Sequence, residues 1–438
     1  MNQPQQALAS LPIAAALAAL SPITAAQPCP GLAFNNVAQE LEFTTGVARS
    51  LKTGDLNGDG LIDAVLVGEG GVSLYYGQGD GLLADAVQID APIAPDRLRL
   101  EDIDLDGYDD LVMLGYGGYA ILYGDGSGFT SQHIEVATNS IGVSGLAIAD
   151  LNGDGIKDIV GSMLSLDRLS VLIGLGNRQF APEISIPIYH PFGLGTGDFD
   201  GDGFDDLAVA LEQDAQVLVL HGLGDGTFSE TQRLSTPQHP NAVNVIDLDG
   251  DGLLDIVADN EFPPQGINIS YGEPGGTFTV ATHYDAEVNL FAGSDPPAVA
   301  DLDGDGLLDI VSGAGLDGAA VLLGVDNRHF LVQREYAGRL VLAQSTVSAD
   351  VNADGRSDVI VATWYAPFNG LIVVENICDQ MCTGSDVAAP IGTQDLGDIT
   401  TFVEMFTAND PIADLNRDDL VDLADIVAFI VGFGQGCP

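Results

Sequence analysis

Asp301, Asp303, Asp305 and Asp309 place four carboxylates at positions 1, 3, 5 and 9 of a nine-residue stretch whose sixth residue is Gly306. Alternate side chains of a tight turn converge on one point, and converging carboxylates repel one another unless a cation lies between them. Calcium, a hard cation, takes six to eight oxygens. The glycine lets the backbone turn with positive φ, so that the position-7 carbonyl can join the carboxylates. Ile310 and Val311, which follow, are β-branched and read as buried strand rather than helix.

The pattern occurs seven times. Its candidate ligands are Asp55, Asn57, Asp59 and Asp63; Asp102, Asp104, Asp106 and Asp110; Asp150, Asn152, Asp154 and Asp158; Asp198, Asp200, Asp202 and Asp206; Asp247, Asp249, Asp251 and Asp255; Asp301, Asp303, Asp305 and Asp309; and Asp350, Asn352, Asp354 and Asp358. Successive starts lie 47, 48, 48, 49, 54 and 49 residues apart. A single acidic turn is commonplace, but seven at a near-constant period mark a repeat whose unit holds a metal.

The elements that must position these loops are short strands. An apolar segment such as Gly145–Ala149 leads into each loop, and a β-branched one such as Ile159-Val160 leads out. A third strand runs to a glycine turn, as in Val217–Phe228, with related turns over 123–129, 173–180 and 271–278. The phenylalanine closing each of these turns is placed to fill the gap between units. Four strands per unit of about 48 residues is the size of a propeller blade, so the fold class is all-β.

The chain of 438 residues carries 64 acidic and 13 basic residues, a formal charge of −51. The loops hold 25 of those acids, and 46% of the residues are hydrophobic, which argues against disorder. The two lysines and eleven arginines are scattered singly, and the field disfavours nucleic acid and anionic membranes as partners. Residues 1–26 read as a signal peptide, with an Ala/Leu-rich run over 7–26 ending Thr24-Ala25-Ala26, although no Lys or Arg precedes it. Export to the medium or cell surface is expected, and no later segment is long enough for a transmembrane helix. Cys29, Cys378, Cys382 and Cys437 all lie outside the repeats and suit disulfides in an exported protein, with three pairings open.

These loops and glycine turns resemble the FG-GAP (also called VCBS) repeat of the integrin α-subunit head, over residues 45–375. The resemblance implies a seven-bladed β-propeller with calcium in the loop joining the first two strands of each blade, up to seven ions in all. The metal role it implies is structural. The seventh unit supplies too few strands, 359–362 and 371–374. The N-terminal extended segment within 27–44 is expected to close the ring and so to remove its exposed edges. That closure brings Cys29 toward Cys378, which predicts this disulfide at the end of a 45–378 propeller and leaves Cys382–Cys437 to bracket the tail.

The tail, residues 379–438, changes character. Asp414, Asn416, Asp418, Asp422 and Asp425 stand at positions 1, 3, 5, 9 and 12 of a second kind of loop, followed by a helical stripe of Ile426, Val427 and Ile430. Asp395–Phe406 matches Asp422–Phe433. Tandem loop–helix units resemble a dockerin, which implies a small α-helical domain, one calcium site and a cohesin-like or surface partner. The first loop lacks the early donors, Asp419 stands where glycine is usual, and Leu423-Ala424 replaces the Ser/Thr pair used for cohesin contact.

No nucleophile elbow, phosphate loop or metalloprotease helix is present, so catalysis is not expected. The face opposite the calcium loops carries the ligand candidates Tyr116, Tyr189, His190, Phe262, Trp364 and Tyr365, aromatics on connections that suit sugar rings or peptide side chains. The reading is an exported recognition or adhesion module for an extracellular protein or polysaccharide. Its alternatives are a lectin-like polysaccharide binder and a carbohydrate-active enzyme on a propeller scaffold.

Overall fold

In a computed structural model, residues 39–43, 47–126, 128–135, 142–237, 239–260, 265–285, 295–314, 318–335, 343–365 and 368–376 are described. They form seven four-stranded antiparallel sheets, six of them with their strands side by side in chain order. Blade 1 comprises Ala48–Gly54, Asp63–Gly68, Gly71–Tyr75 and Val87–Ile89. Blades 2 to 6 repeat this order over 94–135, 145–187, 191–235, 240–285 and 298–335. Blade 7 takes three strands, Ala343–Ala349, Asp358–Tyr365 and Phe368–Val374, from its own unit. Its fourth is Gln39–Glu42, paired antiparallel to the last of these with Gln39 opposite Val373. The first of the described strands thus closes the ring on the last of them.

Alternation along the strands explains why the blades stack. Each second strand is buried on both faces, as in the wholly buried Asp63–Gly68 and Asp206–Leu211, because it lies mid-blade with a neighbour blade on either side. Its two faces feed two different cores. The apolar residues divide into seven clusters, one for each contact between neighbouring blades. The cluster between blades 7 and 1 gathers Leu41, Phe43, Leu51 and Leu66 with Ile360, Leu371 and Val373. The turn phenylalanines do fill these gaps: Phe278 of blade 5 packs on Ala208, Val217 and Val219 of blade 4, edge-on to Phe199 at 5.2 Å.

Four of the basic residues gather in space. Arg49, Lys52, Arg97 and Arg99, from the first strands of blades 1 and 2, gather around two carboxylates. Arg49 meets Asp96 at 3.4 Å, while Asp295, from the connection into blade 6, lies 3.2 Å from Lys52 and 3.6 Å from Arg99. Asp295 also accepts hydrogen bonds from Ser50 Oγ, the Leu51 amide and Ser345 Oγ, so one buried carboxylate ties blades 7, 1 and 2 to the strand entering blade 6. Burial pushes the Lys52 ammonium down to about 8 against the pull of Asp295.

Among the described residues no helix is long and apolar enough to cross a membrane. The signal peptide, all four cysteines and the dockerin-like tail with Asp414, Asn416, Asp418, Asp422 and Asp425 lie outside the described residues, as does Phe262.

Candidate metal centres

All seven loops adopt one conformation, and the same four carbonyl- or carboxyl-bearing side chains build it each time. The position-1 aspartate accepts from the position-6 glycine amide at 2.8–3.0 Å. The position-3 Asp or Asn accepts from the position-5 amide at 2.9–3.2 Å. The position-5 aspartate accepts from the position-7 amide at 2.8–3.1 Å. The last two are Asx turns in series: the position-3 and position-5 side chains bond the backbone two residues on, the position-1 carboxylate bonds it five residues on, and together they wind the loop around its own carboxylates.

The position-6 glycine has φ between +78 and +95° in every loop, which a side chain would strain. Position 4 is left-handed too. It is glycine in five loops, but Leu105 and Ala353 hold φ of +63 and +57° in the second and seventh. A β-carbon there costs on the order of 1 kcal/mol, offset by the hydrogen bonds that fix the turn.

Position 9 plays a different part from the other three. Asp63, Asp110, Asp158, Asp206, Asp255, Asp309 and Asp358 are essentially inaccessible to solvent. One oxygen of each accepts from the position-2 amide. The other accepts from the amide that ends the third strand: Gly77, Gly124, Gly174, Gly222, Gly272, Gly324 or Asn376. All fourteen contacts span 2.7–3.1 Å. This carboxylate therefore staples the loop to the neighbouring strand before any ion is considered. Burial pushes its pKa up, to about 6 for Asp110, Asp158, Asp206, Asp255 and Asp358 and to about 7 for Asp309, against the lowering effect of the two amides.

The donor set fits a hard cation. In four loops three carboxylates each offer an oxygen within 4.8 Å of the others: Asp102, Asp104 and Asp110; Asp198, Asp200 and Asp206; Asp247, Asp249 and Asp251; Asp301, Asp303 and Asp309. That separation matches oxygens on opposite sides of an ion bound at about 2.4 Å. In the remaining loops Asn57, Asn152 and Asn352 turn their amide nitrogens to Asp59, Asp154 and Asp354 at 3.0–3.2 Å. An Asn side chain also offers an oxygen, here the one that accepts the position-5 amide.

The sequence signal did not reveal what sits on the loops. Arg178, in the turn of blade 3, reaches Asp104 of loop 2 at 2.6 Å, and Arg328, in the turn of blade 6, reaches Asp249 and Asp251 of loop 5 at 2.5 and 3.1 Å. His221 Nδ1 lies 3.2 Å from Asp200, while its Nε2 meets the Gly276 carbonyl of blade 5 at 3.0 Å.

On the opposite face, Tyr116 at the end of the second strand of blade 2 and Tyr189 before blade 4 are 67 and 56% exposed. Tyr189 stands edge-on to His190 at 4.3 Å, and the His190 amide donates to Asp167 at 2.9 Å. These connections bring Tyr189 and His190 together as a pair. Trp364 and Tyr365 occupy the end of the second strand of blade 7. Phe192, in the first strand of blade 4, packs between blades 4 and 5.

Residues 102–161 and 198–258 match the FG-GAP-like repeat family. No curated protein matches the chain. Among solved structures, an Agrocybe aegerita lectin described as recognising non-reducing terminal N-acetylglucosamine is similar at 20% identity, with 67% of this chain and 81% of that one covered and a TM-score of 0.48. A catalytically inactive virginiamycin B lyase from Staphylococcus aureus, solved with quinupristin, is similar at 11% identity over 77% of this chain and 99% of that one, with a TM-score of 0.51. The second likeness is one of fold, and the first is too distant to carry an argument.

Proposed function

From a seven-bladed propeller built of FG-GAP-like repeats, we propose that the protein is an exported, calcium-stabilised recognition module that binds an extracellular protein or polysaccharide without turning it over. The observation that carries this reading is the identity of the seven loops. Each is wound around its own oxygen donors by the same hydrogen bonds, at the same end of the ring. Calcium bound there would supply the positive charge that clustered carboxylates require and would tie the first strand of each blade to the second.

The consequence is a division of labour. One face is given to metal and to inter-strand staples, and the ring between is held by seven apolar seams. The other face is left with connections free to vary on a rigid base. There Tyr116 and the Tyr189–His190 pair present aromatic surface to solvent. An exposed tyrosine is a flat, stiff contact suited to a sugar ring or a peptide side chain. The tail, through its dockerin-like loop, would attach the ring to a cohesin-like or surface partner.

The test joins calcium counting to ligand screening. Calcium bound per chain is measured alongside thermal unfolding with and without a chelator, and the calcium-loaded protein is applied to glycan and protein arrays and to a polysaccharide-degradation assay. Several ions per chain, a large loss of stability on chelation, and binding weakened by Tyr189→Ala are expected. Release of reducing ends would replace the binding module with an enzyme. An ion-free protein whose melting ignores chelation would end the calcium reading.

A further inference from the structure

Among the described residues, two of the seven loops hold an arginine of the next blade within hydrogen-bond reach of their position-3 carboxylate. Arg328 and Arg178 sit at the same place in their units, in Asn-Arg turns between the third and fourth strands of blades 6 and 3. Each reaches back to the preceding blade. Arg328 Nε lies 2.5 Å from Asp249 Oδ2 and its Nη2 3.1 Å from Asp251 Oδ2, and the guanidinium carbon stands 4.7 Å from the centre of the Tyr271 ring. Arg178 Nε lies 2.6 Å from Asp104 Oδ2, its Nη2 3.7 Å from Asp106 and its Nη1 3.3 Å from Thr130 Oγ1, with the carbon 4.3 Å from the centre of the Tyr123 ring. Tyr271 and Tyr123 are equivalent residues, each directly before the glycine that ends the third strand.

This is more than a pair of surface salt bridges, which are worth little. The side chains of Asp249 and Asp104 are 2 and 7% exposed, and an aromatic face backs each guanidinium. Arg328 bridges two carboxylates with hydrogen bonds, while Arg178 bonds Asp104 and faces Asp106 at 3.7 Å. The oxygens involved are those the metal needs. In loop 5 the amide of Asp251 occupies Asp249 Oδ1 at 3.0 Å and Arg328 occupies Oδ2. Among the described contacts, loops 1, 3, 4 and 7 differ at this point. Position 3 is Asn in loops 1, 3 and 7, and Asp200 of loop 4 faces His221. Arg356 of loop 7 approaches Asp354 only to 3.8 Å.

We propose that Arg328 and Arg178 compete with a divalent cation for the carboxylates of loops 5 and 2, which makes these weak metal sites and keeps the seams 5/6 and 2/3 clasped when calcium is absent. The inference rests on the calcium reading of the loops. A guanidinium charge some 4–5 Å from a bound divalent ion opposes its binding strongly even at protein-surface dielectric, enough for a tenfold or greater loss of affinity. With calcium scarce, the same guanidinium neutralises the loop it caps and joins it to the next blade, so the ring does not lose all seven of its charge compensations together.

The test uses the full chain and calcium alone as the probe. Calorimetric titration of the wild type should resolve two ions bound about tenfold or more weakly than the rest. In the Arg178→Gln/Arg328→Gln variant those two should move into the tight class, with the total unchanged. A paired Arg178→Lys/Arg328→Lys variant, which keeps charge but loses the fork, should shift them only part of the way. Melting in chelator should fall for the Gln variant and stay unchanged in saturating calcium. If calcium binds but neither variant alters the titration, the competition is overturned while the calcium reading stands. If no ion binds to the wild type or to either variant, both are overturned.

Discussion

Replacing Asp309 by Ala tests whether position 9 is a ligand or a staple. The two amides it satisfies, Leu302 N and Gly324 N, both lie 2.8 Å away in a buried setting. Alanine would leave both without a partner, at about 1–3 kcal/mol each, or about 2–6 kcal/mol together. For a ring of this size that is a fall in Tm of about 3–8 °C. Asp305 at position 5 makes the comparison. Its hydrogen-bonded oxygen accepts the Leu307 amide at 2.8 Å on a more open stretch of loop, so Asp305→Ala should cost about 1 kcal/mol without metal. In calcium it should lose about one ion and destabilise only its own blade and the seams beside it. The assay is differential scanning calorimetry of both variants and wild type, metal-stripped and calcium-saturated. Asp309→Ala should be the worse of the two in the stripped protein. Equal melting there would show that the position-9 carboxylate is an ion ligand and nothing else.

Three further expectations follow from the charges and the ring. Burial raises the position-9 carboxyls in the metal-free protein, Asp110, Asp158, Asp206, Asp255 and Asp358 to about 6 and Asp309 to about 7, so their contribution is fully present below the ordinary carboxylate range and is lost as pH rises through 6 to 7. Metal-stripped protein should accordingly melt at lower temperature at pH 8 than at pH 5, and saturating calcium should flatten the profile; melting that rises with pH would contradict this. Asp295→Ala strands Lys52 and Arg99 in a largely buried site, and breaking such a pair costs about 3–5 kcal/mol, to be read by denaturant unfolding; Lys52→Met combined with it should recover part of the loss. Peptide mapping without reduction should yield Cys29–Cys378 and Cys382–Cys437, and another pairing would separate the cysteines from ring closure.

Much of the fold was legible because the repeat printed it seven times. The period set the blade, the β-branched exits from each loop set the second strand, and the shortage of strands in the last unit could be counted. The loops were legible as oxygen clusters, but the part played by position 9 was not. Its second amide belongs to a turn 14 to 18 residues further on, and only a folded blade brings Asp63 beside Gly77 or Asp358 beside Asn376. Position 4 was hidden because Leu105 and Ala353 replace glycine there and break the signal. Arg178 and Arg328 read as stray basic residues in turns, since their targets lie more than seventy residues back in the chain. Asp295 was the least visible, one carboxylate in a connection whose partners come from both ends of the sequence. Patterns within a unit are local and leave a trace, whereas contacts between units need the ring.

The pairing of Gln39–Glu42 with Phe368–Val374 has a consequence for the birth of the protein. A chain made from its N-terminus produces this outer strand before the other described strands and its partner after them. Until then the ring is an open arc with two unpaired strand edges, each a template for a neighbouring chain. Contacts between the ends of a chain are also the slowest to form. Recombinant production should be limited by this interval, so that soluble yield responds more to changes in residues 39–43 and 368–374 than to equally destabilising changes inside blades 2 to 6.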